Sequence, residues 1–319
     1  MMNMEAFQEI QKKLTSVRNP IVNMGNPMGA TSTQTPQEPK SVATREMGQN
    51  YYQLAKIHYD KADLEKAEKF FLKSLDACVL PEDTFAMMKI CGFLIRIYSE
   101  FLRQDEVRNY VELSQLLLNA AFSNAEWSAK ADYFFYMGAT KTYVGDFEEA
   151  INNFNISFKK AQESNEPELV AKSLLFMAHN QYLMGKFDQT EALLAQLEQL
   201  LTILNKGYLK GSMNILYGNI YNHKGEYKKA LEYFKKSSEE LNKKVCWNLF
   251  GYTCLGMGKS YKKMGNYKKA LLYFEMAKNH TNRNFKKLHQ KIDGEISEVN
   301  DSNIDFVIDK TERIIKEKT

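Results

Sequence analysis

The apolar residues of this chain fall on helical faces. At the N-terminus Met4, Phe7, Ile10, Leu14 and Val17 recur at spacings of three and four among Glu, Gln and Lys, which predicts a short amphipathic helix over residues 1–17. Further on, the pattern itself repeats. Gly145, Gly185, Gly225 and Gly265 stand 40 residues apart, each followed two positions later by Phe147, Phe187, Tyr227 or Tyr267. Three residues beyond come Ala150, Thr190, Ala230 and Ala270, then Phe154, Leu194, Phe234 and Phe274; seven before each glycine lie Gly138, Ala178, Gly218 and Gly258. A fixed period of this length means one helix-turn-helix unit stacked on the next. The small residues let paired helices approach, the aromatics fill the space between them, and the turn glycine supplies a positive φ.

Upstream, Tyr51, Leu54, Ala55, Leu64, Ala67 and Phe71 make a further copy beginning near Gly48. Leu94, Ile97, Tyr98, Phe101, Val107 and Tyr110 make a degenerate one beginning near Cys91. Together these residues resemble the tetratricopeptide repeat. The resemblance implies an all-α fold, a right-handed superhelical solenoid of about six helix-turn-helix repeats over residues 47–280. The period departs from the family's, at 40 residues here against about 34. Stretches such as Leu193 to Leu204 read as a longer second helix. Extended units of this kind are similar to those of bacterial regulators that sense peptide pheromones.

Composition narrows the function classes. In 319 residues with 44% hydrophobic content, no run approaches the roughly 18 apolar residues of a membrane span, and the N-terminus has no apolar signal core. A cytoplasmic protein is expected, with Cys78, Cys91, Cys246 and Cys254 as reduced thiols. The net charge of +4 conceals an asymmetry: residues 205–291 carry +14, residues 292–319 carry −4 and residues 1–204 carry −6. Such a field favours acidic partner surfaces, while the lysine pairs also read as solvated outer faces. No sequence-reading motif accompanies the basic half, so nucleic acid is not the expected partner.

The two ends differ from the middle. Residues 18–46 hold Pro20, Pro27, Pro36 and Pro39 and read as a flexible linker. The helix ahead of it is too short to stand alone, so its apolar face is expected to cap the solenoid, to bind a partner, or to self-associate through residues 3–17. In the tail, residues 281–319, the run Asn303 to Asp309 has the content of a strand, and Lys310 to Lys318 completes a possible hairpin. It resembles the opening strands of a winged-helix output domain.

No catalytic or cofactor motif and no clustered metal-ligand spacing is present, and an enzyme is not expected. The expected function is binding a peptide or protein segment, acidic or amphipathic, in the concave groove that the family resemblance implies. The alternative is the sensor part of a transcriptional regulator responding to a peptide or small ligand. Carrying the family's groove positions onto this chain selects Tyr52, Lys56 and Tyr59; Arg103 (with Ser99); Phe135 and Tyr143 (with Asp132); Lys172, His179 and Tyr182; Asn219, Asn222 and His223; and Tyr252, Lys259, Lys262 and Lys263. Aromatics give contact area at small entropic cost, amides hold main chain and lysines meet carboxylates.

Overall fold

The computed structural model describes residues 4–22, 42–61, 63–122, 130–241, 247–281 and 286–301. The fold is an all-α solenoid, and no strand occurs among the described residues. An isolated first helix, α1 (Met4–Val22), precedes six pairs: α2 (Val42–Asp60) with α3 (Leu64–Ala77), α4 (Thr84–Glu100) with α5 (Gln104–Phe122), α6 (Ala131–Val144) with α7 (Phe147–Glu163), α8 (Pro167–Leu183) with α9 (Phe187–Ile203), α10 (Gly207–His223) with α11 (Tyr227–Glu240), and α12 (Trp247–Lys263) with α13 (Tyr267–His280). A last helix, α14, spans residues 286–301. The chain divides into two compact units, one of Met1–Tyr59 and Asp63–Met184, the other of Asp60–Ala62 and Gly185–Thr319.

Five of the six pairs turn through a left-handed residue. Gly145, Gly185, Gly225 and Gly265 have φ between 73° and 85°. The next residue's N–H reaches back five positions to close the helix end, as in Asp146 to Lys141 (3.0 Å), Glu226 to Tyr221 (2.9 Å) and Asn266 to Tyr261 (2.9 Å). In the second pair the same bond runs from Arg103 to Tyr98 (2.9 Å), and Leu102 holds the positive φ, 60°. The second repeat's turn is therefore at Leu102, which shifts its first helix three residues from the register read from sequence. The strain of a leucine there, of order 1–2 kcal/mol, explains why the sequence signal is degenerate.

Within a pair, small residues and aromatics interlock. A β-carbon on Gly138 would lie 2.8 Å from the Phe154 ring, and one on Gly218 would lie 2.7 Å from Phe234. Phe71, Phe154, Phe234 and Phe274 are fully buried. Between successive pairs, buried hydroxyls meet each other: Ser114 with Thr140 (3.0 Å), Ser157 with Ser173 (3.1 Å) and Ser237 with Thr253 (3.0 Å). Such pairing avoids the cost of an unsatisfied buried polar group and holds the stacking register.

Three features differ from the sequence reading. The first helices of the last three pairs each run 17 residues, beginning four residues before Ala171, Gly211 and Gly251, while α11 and α13 have only 14. In these three pairs much of the added length thus extends the first helix, with Pro167 pre-setting the start of α8, while the longer second helix occurs in α5, α7 and α9. The ends of the expected linker are helical, since α1 continues to Val22 and α2 begins at Val42. The polar stretch after α13 forms α14, which buries Leu288, Ile292 and Val299. The expected strand and hairpin beyond Asn303, and residues 23–41 of the expected linker, lie outside the described residues.

The N-terminal helix docks on α5. Ile10, Leu14 and Val17 are buried, and Lys13 bonds Asn109 (3.0 Å) and Glu112. The apolar face expected to cap or self-associate packs on the second helix of the second pair, because a helix this short needs a tertiary partner.

Replacing Gly225 or Gly265 with Val is expected to destabilise the array by about 1–2 kcal/mol. Nothing lies within 4 Å of the added β-carbon, so the loss is one of backbone conformation alone. Thermal melts followed by circular dichroism check this, and unchanged midpoints in both variants would contradict the turn assignment.

Candidate functional site

In the first unit, the first helices α2, α4, α6 and α8 present one face built of rings and cations. Tyr52 meets Phe71 (5.9 Å) and Phe93 (6.2 Å) edge-on, and Tyr59 meets Phe93 (5.0 Å). The Arg96 guanidinium lies 5.8 Å from the Tyr59 ring centre, and the Lys89 ammonium 5.9 Å from that of Tyr136. Residues two pairs apart act on one another here. Burial, then the charge of Asp132 and the neighbouring Tyr52, raise the Tyr136 phenol. The Tyr143 phenol is pushed up to about 12 by burial, with Arg96 opposing and Tyr59 and Glu100 adding. Yet Tyr143 keeps 38% of its surface open.

His179, half-buried on α8, titrates below its ordinary value because burial disfavours the imidazolium and Arg96 repels it. Burial also raises Tyr182. Lys56 is exposed on α2, and Lys172 pairs with Glu168 on its own helix (2.7 Å).

Two expected residues of this unit lie elsewhere. Arg103 follows α4, bonds Glu68 of α3 (3.1 Å) and lies over Phe101 (5.1 Å). The three-residue shift of the second repeat removes Arg103 from the face and puts Arg96 there. Phe135 packs against Phe154 (5.4 Å) and Phe176 (5.2 Å), so it holds two pairs together. Phe93, Arg96 and Tyr136 were missed from sequence; aligning Val107 with Ala150, whose N–H groups make equivalent bonds to Arg103 and Asp146, would have recovered Arg96.

In the second unit, the expected residues are largely engaged within the protein. Asn222 donates to the Gly256 carbonyl (3.4 Å) and accepts from Ser260 (2.8 Å), locking α10 to α12. His223 stacks on Phe187 (5.1 Å). Asn219 and Tyr252 are half-buried, and Lys263 is exposed. Lys259 pairs with Glu295 (3.1 Å), and Lys262 bonds both Glu295 and Glu298, the latter at 2.7 Å. Burial works against the Lys262 charge, but these carboxylates outweigh it and raise its pKa. The two lysines expected to meet a partner's acids thus hold α14.

Among the described residues, no group of three or more His, Cys, Asp or Glu side chains is placed to hold a metal ion, and no helix is long and apolar enough to cross a membrane.

The tetratricopeptide repeat model matches residues 48–78 and 211–239. The chain thus carries tetratricopeptide-repeat units at these two places. Solved structures similar to it include RapI in its apo form, with 15% identity over 87% of this chain and 77% of that one at a TM-score of 0.49. Others are pilF of Pseudomonas aeruginosa (15%, 78% and 99%, TM-score 0.42) and yeast Tom70 (16%, 97% and 75%, TM-score 0.38). No curated protein matches the sequence.

Two outcomes follow from these contacts. Reversing Lys262 to Glu would set three carboxylates together, so hydrogen exchange in residues 286–301 is expected to accelerate; unchanged protection would show that these ion pairs do not hold α14. For His179, the folded imidazole titrates lower than the unfolded one, so the unfolded state takes up the proton first. Stability is then fully retained above the unfolded pKa, about 6.5, and lost as pH falls through that value towards the folded one. Wild type is expected to lose more stability than His179→Gln between pH 7.5 and pH 5.5, measured by thermal melts.

Proposed function

We propose that this chain is a non-enzymatic interaction module that holds a segment of a partner protein against the first unit's aromatic and cationic face. The observation carrying this reading is the row of rings and cations that successive first helices bring together: Tyr52 and Tyr59 against Phe93, Arg96 over Tyr59 and Lys89 over Tyr136. A row running across several repeats suits an extended ligand. Its rings offer rigid apolar contact, while Lys56, Lys89 and Arg96 suit carboxylates, so the favoured ligand is a peptide alternating acidic with aromatic or large aliphatic residues. Thiols rather than disulfides at Cys78, Cys91 and Cys254 support a reducing, cytoplasmic setting.

The test is selection of displayed random peptides on the full chain, followed by affinity measurement. Enriched peptides are expected to be acidic and aromatic, to bind more weakly as salt rises, and to lose roughly tenfold or more in affinity to Arg96→Glu and to Tyr143→Ala. Equal binding by both variants would reject this face as the site.

A further inference from the structure

The second unit holds a slot of about 420 Å³ between α11 and α13, over α12. Met257 and Met276 give it apolar walls, Tyr261 and Tyr273, stacked at 5.4 Å, lie along it, and Glu232 and Lys235 line it from α11. An apolar recess of this size with a few polar groups suits a small organic ligand. The preceding repeat shows what such a space takes. Forty residues earlier, Tyr233 stands in the place of Tyr273. Its ring stacks with Tyr217 (4.8 Å) and Tyr221 (5.3 Å), and the Lys236 ammonium lies 4.9 Å from its centre. In the last repeat Tyr261 stands for Tyr221, but Met257 replaces Tyr217 and Met276 replaces Lys236. The ring that completes the stack in one repeat is therefore missing from the next, and the slot lies where it would be. On α11, Glu232 and Lys235 stand where α9 has Ala192 and Ala195. The loss of a ring and the gain of two opposite charges thus coincide.

The geometry points to a free aromatic α-amino acid as the ligand of this slot. Its ring takes the place that Tyr217 fills in the preceding repeat and stacks on Tyr273, with the flexible thioethers of Met257 and Met276 closing on it. Its carboxylate meets Lys235 and its ammonium meets Glu232, which lie one helical turn apart on the same side of α11. Both charges matter to the choice of ligand. A simple aromatic acid would bring its carboxylate towards Glu232 as well as Lys235, and a simple amine would bring its ammonium towards Lys235; only the zwitterion satisfies both. An aliphatic amino acid has the charges but lacks the ring that the Tyr261–Tyr273 stack is missing.

Titrating the full chain with L-phenylalanine, L-tyrosine and L-tryptophan, followed through the methionine methyl resonances, tests the assignment. At least one of the three is expected to shift Met257 and Met276 saturably, with a dissociation constant of about 1 mM or below. L-leucine and phenylethylamine are expected to bind roughly tenfold more weakly, and Lys235→Ala to weaken the aromatic ligand roughly threefold. Met257→Tyr puts the preceding repeat's ring into the slot; it is expected to melt no lower than wild type and to abolish the shift of Met276. No saturable shift with any of the three, equal binding of L-leucine, or unaltered binding by a folded Met257→Tyr would overturn the assignment. Equal binding of N-acetylphenylalanine amide would also overturn it, since that probe carries the ring without either charge. The comparison of ligands on wild type decides the matter even if the variant fails to fold. Peptide binding by the first unit is expected to be the same in Lys235→Ala and wild type, so this assignment and the proposed function fail separately.

Discussion

Everything in this protein depends on how closely two helices of a pair approach. A glycine seven residues before the turn admits the face of a phenylalanine from the second helix, and that ring is buried in each pair where the two occur. The contact is short, local in sequence and repeated, so each pair forms a unit whose remaining apolar surface is satisfied by stacking on the next. Left-handed turns fix the geometry at one end, and paired hydroxyls fix the register between neighbours. A ring too far from its partner helix would lose the dispersion contacts that distinguish a packed interior from a merely apolar one.

The same geometry produces the proposed binding face. Once the first helices of successive pairs lie side by side, positions one turn apart on each helix form continuous rows. What those rows carry is free to vary, because the stacking is done by other positions. In the first unit they carry Tyr52, Tyr59, Phe93, Arg96, Tyr136, Tyr143 and His179, the side chains proposed to meet a ligand. In the second unit Lys259 and Lys262 instead bond Glu295 and Glu298 of α14. Positions that look alike in a repeat alignment thus take different partners in the two units.

Burying charge sets limits on both uses. Lys262 remains charged because two carboxylates approach it, whereas His179, with a guanidinium for a neighbour, resists protonation. Glu68 shows the same competition between the first and second pairs: burial raises its pKa although Tyr98 and Arg103 bond to it. Of these groups, His179 makes the protein sensitive to acid, whereas the raised pKa values of Lys262 and Glu68 give stability that is lost as pH rises; the solvated lysines of α11 and α13 act through a field that salt screens.

The sequence by itself determined the fold class, the six pairs, the glycine turns and the closely matched small and aromatic positions, because these are local contacts that recur with a fixed period. It also gave most of the aromatic row in the first unit. Three things were decided only by the tertiary structure. Leu102 took a glycine's place at a strained turn, which moved the second repeat by three residues and exchanged Arg103 for Arg96. The first helix found α5, a partner remote in sequence that no periodicity specifies. Glu295 and Glu298 came to Lys259 and Lys262 through α14, whose polar sequence gives little sign of where its few buried residues will pack. Periodicity reports which residues share a face; it does not report which distant charge or helix that face will meet.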